Sequence, residues 1–167
     1  MGKDLDFPKN TGVAHQTAQA LLNKDWPQYD TQELEVTFAG ATANAIGDFA
    51  GSQNPYTMFT VTGIVEASII AICTTDVESA GAGTLEVGTA TTTAGLIAQT
   101  TATDLEAIDI WHDNAPDATV ELTSVVTRKL VSEDIILTVG TADIESGVIK
   151  FIVRWSPISN DGNLVAV

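Results

Sequence analysis

The densest group of side chains that could do chemistry is acidic. Asp104, Glu106, Asp109, His112, Asp113 and Asp117 crowd one segment. Carboxylate oxygens suit Ca²⁺, but a calcium loop spaces its ligands as Asp-x-Asp-x-Asp-Gly, and this segment does not. A transition metal asks for imidazole or thiolate ligands, and only His112 stands here. The segment therefore reads as a solvated acidic loop with no metal. Glycoside hydrolysis needs two opposed carboxylates. Among 22 Asp and Glu residues no pair is singled out, and the aromatic side chains on which sugars stack make up only 6% of the chain.

Nucleophilic chemistry finds no better footing. Serines are scattered, with neither a Gly-x-Ser-x-Gly elbow nor a catalytic Ser-x-x-Lys context. His15 lies in a polar leader, and His112 reads as a turn residue after Trp111. Cys73 ends an apolar run with no basic neighbour, the setting of a buried, inert thiol. A single cysteine excludes an intramolecular disulfide and any multi-cysteine zinc site. No phosphate-cradling Gly-x-x-x-x-Gly-Lys loop and no dinucleotide fingerprint is present. The residues thus point to a protein that is not an enzyme, with no catalytic residue, no metal and no cofactor.

Charge narrows the partners. Seven Lys and Arg against 22 Asp and Glu give a net charge of -15. No Lys or Arg occurs between Lys24 and Arg128. Nucleic-acid binding needs a cationic stripe that displaces phosphate counterions, so this chain would be repelled by DNA and by an anionic membrane. The most apolar stretch, Ile64 to Cys73, is broken by Glu66 and Ser68. It is half of the ~20 residues a membrane helix needs. The start, MGKDLDFPKN, has acidic residues and no apolar run, unlike a secretory signal. These features describe a soluble protein made in the cytoplasm.

The elements that position these groups divide into a leader, residues 1–32, and a β-domain, residues 33–167. In the leader, Val13, Ala14, Ala18, Leu21 and Leu22 recur at helical spacing, and Trp26-Pro27 ends any helix there. From Glu33 the pattern has period two. Leu34, Val36 and Phe38 share one side. Thr57–Cys73 reads as one long strand or a bent pair, with Phe59, Val61, Val65, Ala67, Ile69 and Ala71 on one face and Gly63 at a bend. Further strands are expected at Thr84–Gly88, Leu96–Gln99, Ile108–Trp111, Val120–Val126, Asp134–Val139 and Val148–Trp155. The last is the clearest, with Ile149, Phe151, Val153 and Trp155 facing inward against Lys150, Ile152 and Arg154. Turn residues separate the runs, and β-branched threonines are abundant. Short strands without alternating helices predict an all-β chain, an antiparallel β-sandwich or barrel. A jelly roll is one member of that set. The leader is an extended or partly helical N-terminal arm.

Two blocks carry a resemblance. GTLEVGTATTTAGLIAQTTATDLEAIDIWHDNAPDATVELTS, Gly83–Ser124, and FIVRWSPISNDGNLVAV, Phe151–Val167, resemble small virion proteins encoded in tailed-phage structural gene clusters. The resemblance implies a capsid decoration, or cement, protein: β-rich, homotrimeric, and bound to the major capsid protein on the virion surface. It carries over no active site. Two other classes stay open. One is a phage tail or host-recognition component, and the other is a carbohydrate-active or Ca²⁺-dependent β-sandwich enzyme.

Docking then falls to apolar anchors. Phe7, Val13, Leu21, Leu22 and Trp26 are dispersed along the arm, as in a segment that lies along a partner. Trp111 and Trp155 each end a strand. Each either caps the core, its indole N–H reaching a loop carbonyl, or sits at a subunit interface. The apolar C-terminus, Leu164–Val167, is expected to be open to a neighbouring subunit.

Overall fold

Phe151 stands at the centre of the molecule, fully buried on the strand β9 (Ile144–Pro157). A computed structural model describes residues 29–112 and 128–167. On one side β9 pairs antiparallel with β1 (Asp30–Thr37), and on the other with β3 (Val65–Ser79). The far edge of β3 carries two short strands, β6 (Ile110–Trp111) and β7 (Lys129–Val131). These five strands form the first sheet. The second runs β10 (Asn163–Ala166), β2 (Tyr56–Thr62), β8 (Ile135–Gly140), β4 (Thr84–Gly88), β5 (Ile97–Thr101). Both sheets are antiparallel and neither closes on itself, so the fold is a β-sandwich rather than a barrel. The helical content among the described residues is a 3₁₀ turn at Ala102–Asp104.

Alternation builds the core. Ile149, Phe151, Val153 and Trp155 of β9 point inward beside Val65, Ala67, Ile69, Ala71 and Cys73 of β3. The second sheet answers with Met58, Phe59, Leu85, Val87, Ile97, Ile135 and Leu137. Trp111 meets Phe151 edge to face, with ring centroids 6.4 Å apart and planes at 64°. Offset aromatic pairs of this kind add about 0.5–1.5 kcal/mol beyond their buried area. Lys129 links the layers, its Nζ donating to the carbonyls of Gly95 at 2.8 Å and Leu96 at 3.3 Å.

Several sequence expectations change. Thr57–Cys73 is two strands in different sheets, because Gly63, at φ +65°, turns the chain from one layer to the other. A Cβ there would come within 2.4 Å of Ser159 Oγ. Phe59 and Val61 therefore do not share a sheet face with Val65–Ala71. A register shift between Thr57 and Phe59 buries both Met58 and Phe59 and leaves Val61 half-buried. Ile108 lies outside any strand, at φ 77° and 79% exposed. The polar triplet Asp30, Thr31 and Gln32, placed in the leader by its composition, is already strand, paired with Trp155, Arg154 and Val153. Backbone pairing to a central strand overrides its poor apolar alternation. The expected strand Val120–Val126 lies outside the described residues.

The long connection from β1 to β2 is tied down by backbone and side-chain hydrogen bonds. Gly40 N donates to Ile144 O at 2.8 Å, and Ile144 N donates to Gly47 O at 2.9 Å. Asn54 Nδ2 donates to Phe49 O and Val139 O, both at 2.8 Å, and Val139 N donates to Asn54 Oδ1 at 2.9 Å. β2 begins to pair with β8 at Tyr56↔Leu137. Two residues further along β8, the Asn54 amide stands in for a strand backbone and satisfies both peptide groups of Val139.

Candidate functional site

The outer face of the first sheet differs from the rest of this acidic chain. Strand parity turns Lys150, Ile152 and Arg154 of β9 outward. In register with them lie Ser68, Ile70 and Ile72 of β3, and Thr31, Glu33 and Glu35 of β1. Ile70, Ile72 and Ile152 are half-buried by their neighbours, and Leu130 of β7, beside Glu66, is 71% exposed. Three of the seven basic residues, Arg128, Lys150 and Arg154, gather here. The fourth described cation, Lys129, is turned away to the Gly95 and Leu96 carbonyls.

Two clefts cross this face. One, of about 410 Å³, has Tyr29, Ser68, Arg128 and Arg154 as its described lining. The second, of about 320 Å³, is lined by Thr31, Ser68, Ile70, Ile152 and Arg154. They meet at Ser68 and Arg154. The Arg154 guanidinium carbon lies 4.5 Å from the centre of the Tyr29 ring, and that of Arg128 lies 5.3 Å from it. Each such contact at an exposed site is worth about 0.5–1 kcal/mol. Arg128 Nη1 donates to the Tyr29 hydroxyl and, at 3.3 Å, to Glu66 Oε2. Lys150 Nζ pairs with Glu33 Oε2 at 2.6 Å. Arg154 differs from both. Among the described residues it has the Tyr29 ring but no carboxylate or carbonyl acceptor. The geometry can hold an anionic group beside an apolar strip.

The groups read from sequence are placed as follows. Phe7, Val13, Leu21, Leu22 and Trp26 lie outside the described residues, as do Asp113 and Asp117. Trp111 and Trp155 are 1% and 5% exposed and belong to the core. Both stand at inward positions of their strands. The expected bond from each indole N–H to a loop carbonyl is also absent among the described residues. Leu164 is fully buried because β10 pairs with β2, which leaves Val165 and Val167 as the exposed part of the C-terminus. His112 sits in a bend directly after Trp111 and is buried.

The acidic segment works as turn chemistry. Asp109 Oδ2 accepts from Glu106 N at 3.0 Å, and Asp76 Oδ1 accepts from Ala107 N at 2.7 Å. Among the described residues no three His, Cys, Asp or Glu side chains are grouped to hold a metal ion. Cys73 is 1% exposed, and its Sγ donates to Thr75 O at 3.2 Å. Burial pushes the thiol above its usual pKa, and the Asp109 and Asp76 carboxylates push it the same way. It should stay protonated and resist iodoacetamide in the folded protein, then react at the rate of a free thiol in denaturant. Rapid labelling of the native chain, read by mass spectrometry, would contradict this.

Sequence reasoning missed Tyr29 and Arg128, which lie 99 positions apart. The available signal was the outward triplet Lys150, Ile152 and Arg154 on an otherwise acidic chain. Comparison with known protein families, curated proteins and solved structures finds no match to this chain.

Proposed function

We propose that the protein is a non-enzymatic virion structural protein, a capsid-decoration protein that docks through the outer face of its first sheet. The observation that carries this reading is the collection of Arg128, Lys150 and Arg154 around Tyr29, Ile70 and Ile152, on a chain of net charge -15. An apolar strip rimmed by cations suits a protein surface. The two blocks that resemble phage virion proteins support the same reading. Phe151–Val167 contributes Ile152 and Arg154 to the face. The resemblance further implies a homotrimer and the major capsid protein as partner.

The test is co-sedimentation of the purified chain with expanded empty heads built from the major capsid protein of the same genome. Saturable binding to heads is the expected result. A chain that stays in the supernatant at moderate salt overturns the decoration reading. Retention on purified tails instead of heads assigns the protein to the tail or to host recognition.

A further inference from the structure

We infer that the cleft between Tyr29, Arg128 and Arg154 is a carboxylate-binding site that takes an acidic side chain from an extended segment of the partner protein. This rests on the docking-face reading above and adds the chemistry of what docks. Arg154 presents a planar fork of N–H donors, the shape that matches a carboxylate in two parallel bonds. The Tyr29 ring, 4.5 Å from the guanidinium carbon, supports one side of that fork. Arg128, held by Glu66 at 3.3 Å and by the Tyr29 hydroxyl, is a second cation on the same cleft. Lys150 already has Glu33 at 2.6 Å. Arg154 is thus the outward cation whose described contacts leave its charge for a partner. The adjoining cleft runs from Arg154 over Ile70 and Ile152, so a segment with an apolar residue close to its acid would fill both.

The acid comes from another protein rather than from a second copy of the β-domain. Several of the described loop carboxylates of this chain are engaged within the fold. Asp134 accepts from Val61 N at 2.9 Å, and Asp143 accepts from Phe49 N at 2.8 Å. Glu133 accepts from Thr91 N and Oγ1, which hold its carboxyl below the usual range, and Ser159 does the same for Asp161. Long-range repulsion from a charge of -15 opposes any acidic partner. At physiological salt that repulsion is screened beyond about 8 Å, whereas a pair in contact in a cleft is screened much less. Binding should therefore be firmer at moderate than at very low ionic strength.

The full-length chain, Arg154→Ala, Arg154→Lys and Lys150→Ala are tested in two ways. The first is retention on expanded heads. Arg154→Ala should weaken retention about tenfold or more, the usual scale for a charge-assisted hydrogen bond. Arg154→Lys should restore it only in part, since an ammonium lacks the fork, and Lys150→Ala should lose less than Arg154→Ala, because the Lys150 charge is already paired with Glu33. The second is a titration with glutarate followed by NMR. The Arg154 Nε–H and Tyr29 ring resonances should shift saturably, and the Tyr29 shifts should vanish in Arg154→Ala. Unchanged melting temperatures check the fold of each variant. Equal head binding by Arg154→Ala, or no saturable glutarate shift, overturns the inference and leaves the docking face standing. Failure of the unaltered chain to bind heads removes the docking reading, and the glutarate titration then decides the carboxylate site alone. Loss of the oligomer in Arg154→Ala, seen by light scattering, would make the occupant a second copy and overturn the assignment to another protein.

Discussion

Phe151→Ala is expected to lower the unfolding free energy by about 3–5 kcal/mol. Lys150→Ala, one residue earlier on the same strand, should change it by less than about 1 kcal/mol. Phe151 is completely buried, in a strand flanked on both sides, and packs edge to face with Trp111. Its removal loses the transfer free energy of the ring and leaves a cavity that two full sheets cannot readily close. Lys150 faces the other way. Its ion pair with Glu33 is close, at 2.6 Å, but the two side chains are 37% and 53% exposed, so water and salt screen it. Urea denaturation of the two variants measures the contrast. Equal losses would mean that the inward face of β9 has been misassigned.

Gly47→Ala should destabilise the fold strongly. Gly47 has φ +106°, and a Cβ there would stand 2.4 Å from Ile144 O, a backbone atom that cannot swing aside. That conformation alone costs a side-chain-bearing residue about 1–3 kcal/mol. The overlap adds to it, because Ile144 N donates to Gly47 O and Ile144 O accepts from Gly40 N. Moving the loop to relieve the clash breaks both bonds at the start of β9. Gly40→Ala tests the packing part separately, since its Cβ would meet Gly47 O at 2.4 Å and Ile144 O at 2.5 Å. Gly81→Ala is the control: it is exposed, and the nearest atom to its Cβ is Ala142 Cβ at 3.0 Å. Thermal melts should rank Gly47→Ala well below Gly81→Ala. Indistinguishable melts would show that the β1–β2 connection is not held against β9 as described.

Much of the β-domain was legible because a strand half-buried in a sandwich writes its orientation into the chain with period two. Val148–Trp155 is the plainest case, since each inward residue is apolar and the outward set holds Lys150 and Arg154. Thr84–Gly88 matched to the residue. The period fails where the local geometry breaks it. The register shift at Thr57–Phe59 turns two successive apolar residues inward, and Asn54 supplies strand-like hydrogen bonds without belonging to a strand. Neither has an apolar signature.

Trp111 and Trp155 show a different limit. Trp111 does end its strand, whereas Trp155 stands two residues before the end of β9, and a large aromatic residue suits a core and an interface equally well. Only the facing sheet, which covers them to 1% and 5% exposure, separates the two.

By itself the sequence determined an acidic, antiparallel β-domain with one buried thiol, because composition and alternation act through neighbouring residues. The tertiary structure alone decided which strands share a sheet, since Gly63 sends β2 and β3 into opposite layers. It alone assembled the candidate site. Tyr29 precedes β1, Arg128 precedes β7 and Arg154 lies on β9, and they meet because β9 pairs with β1 on one side and with β3 on the other, whose far edge carries β7. Such a meeting depends on long-range backbone pairing, which no local spacing of residues encodes.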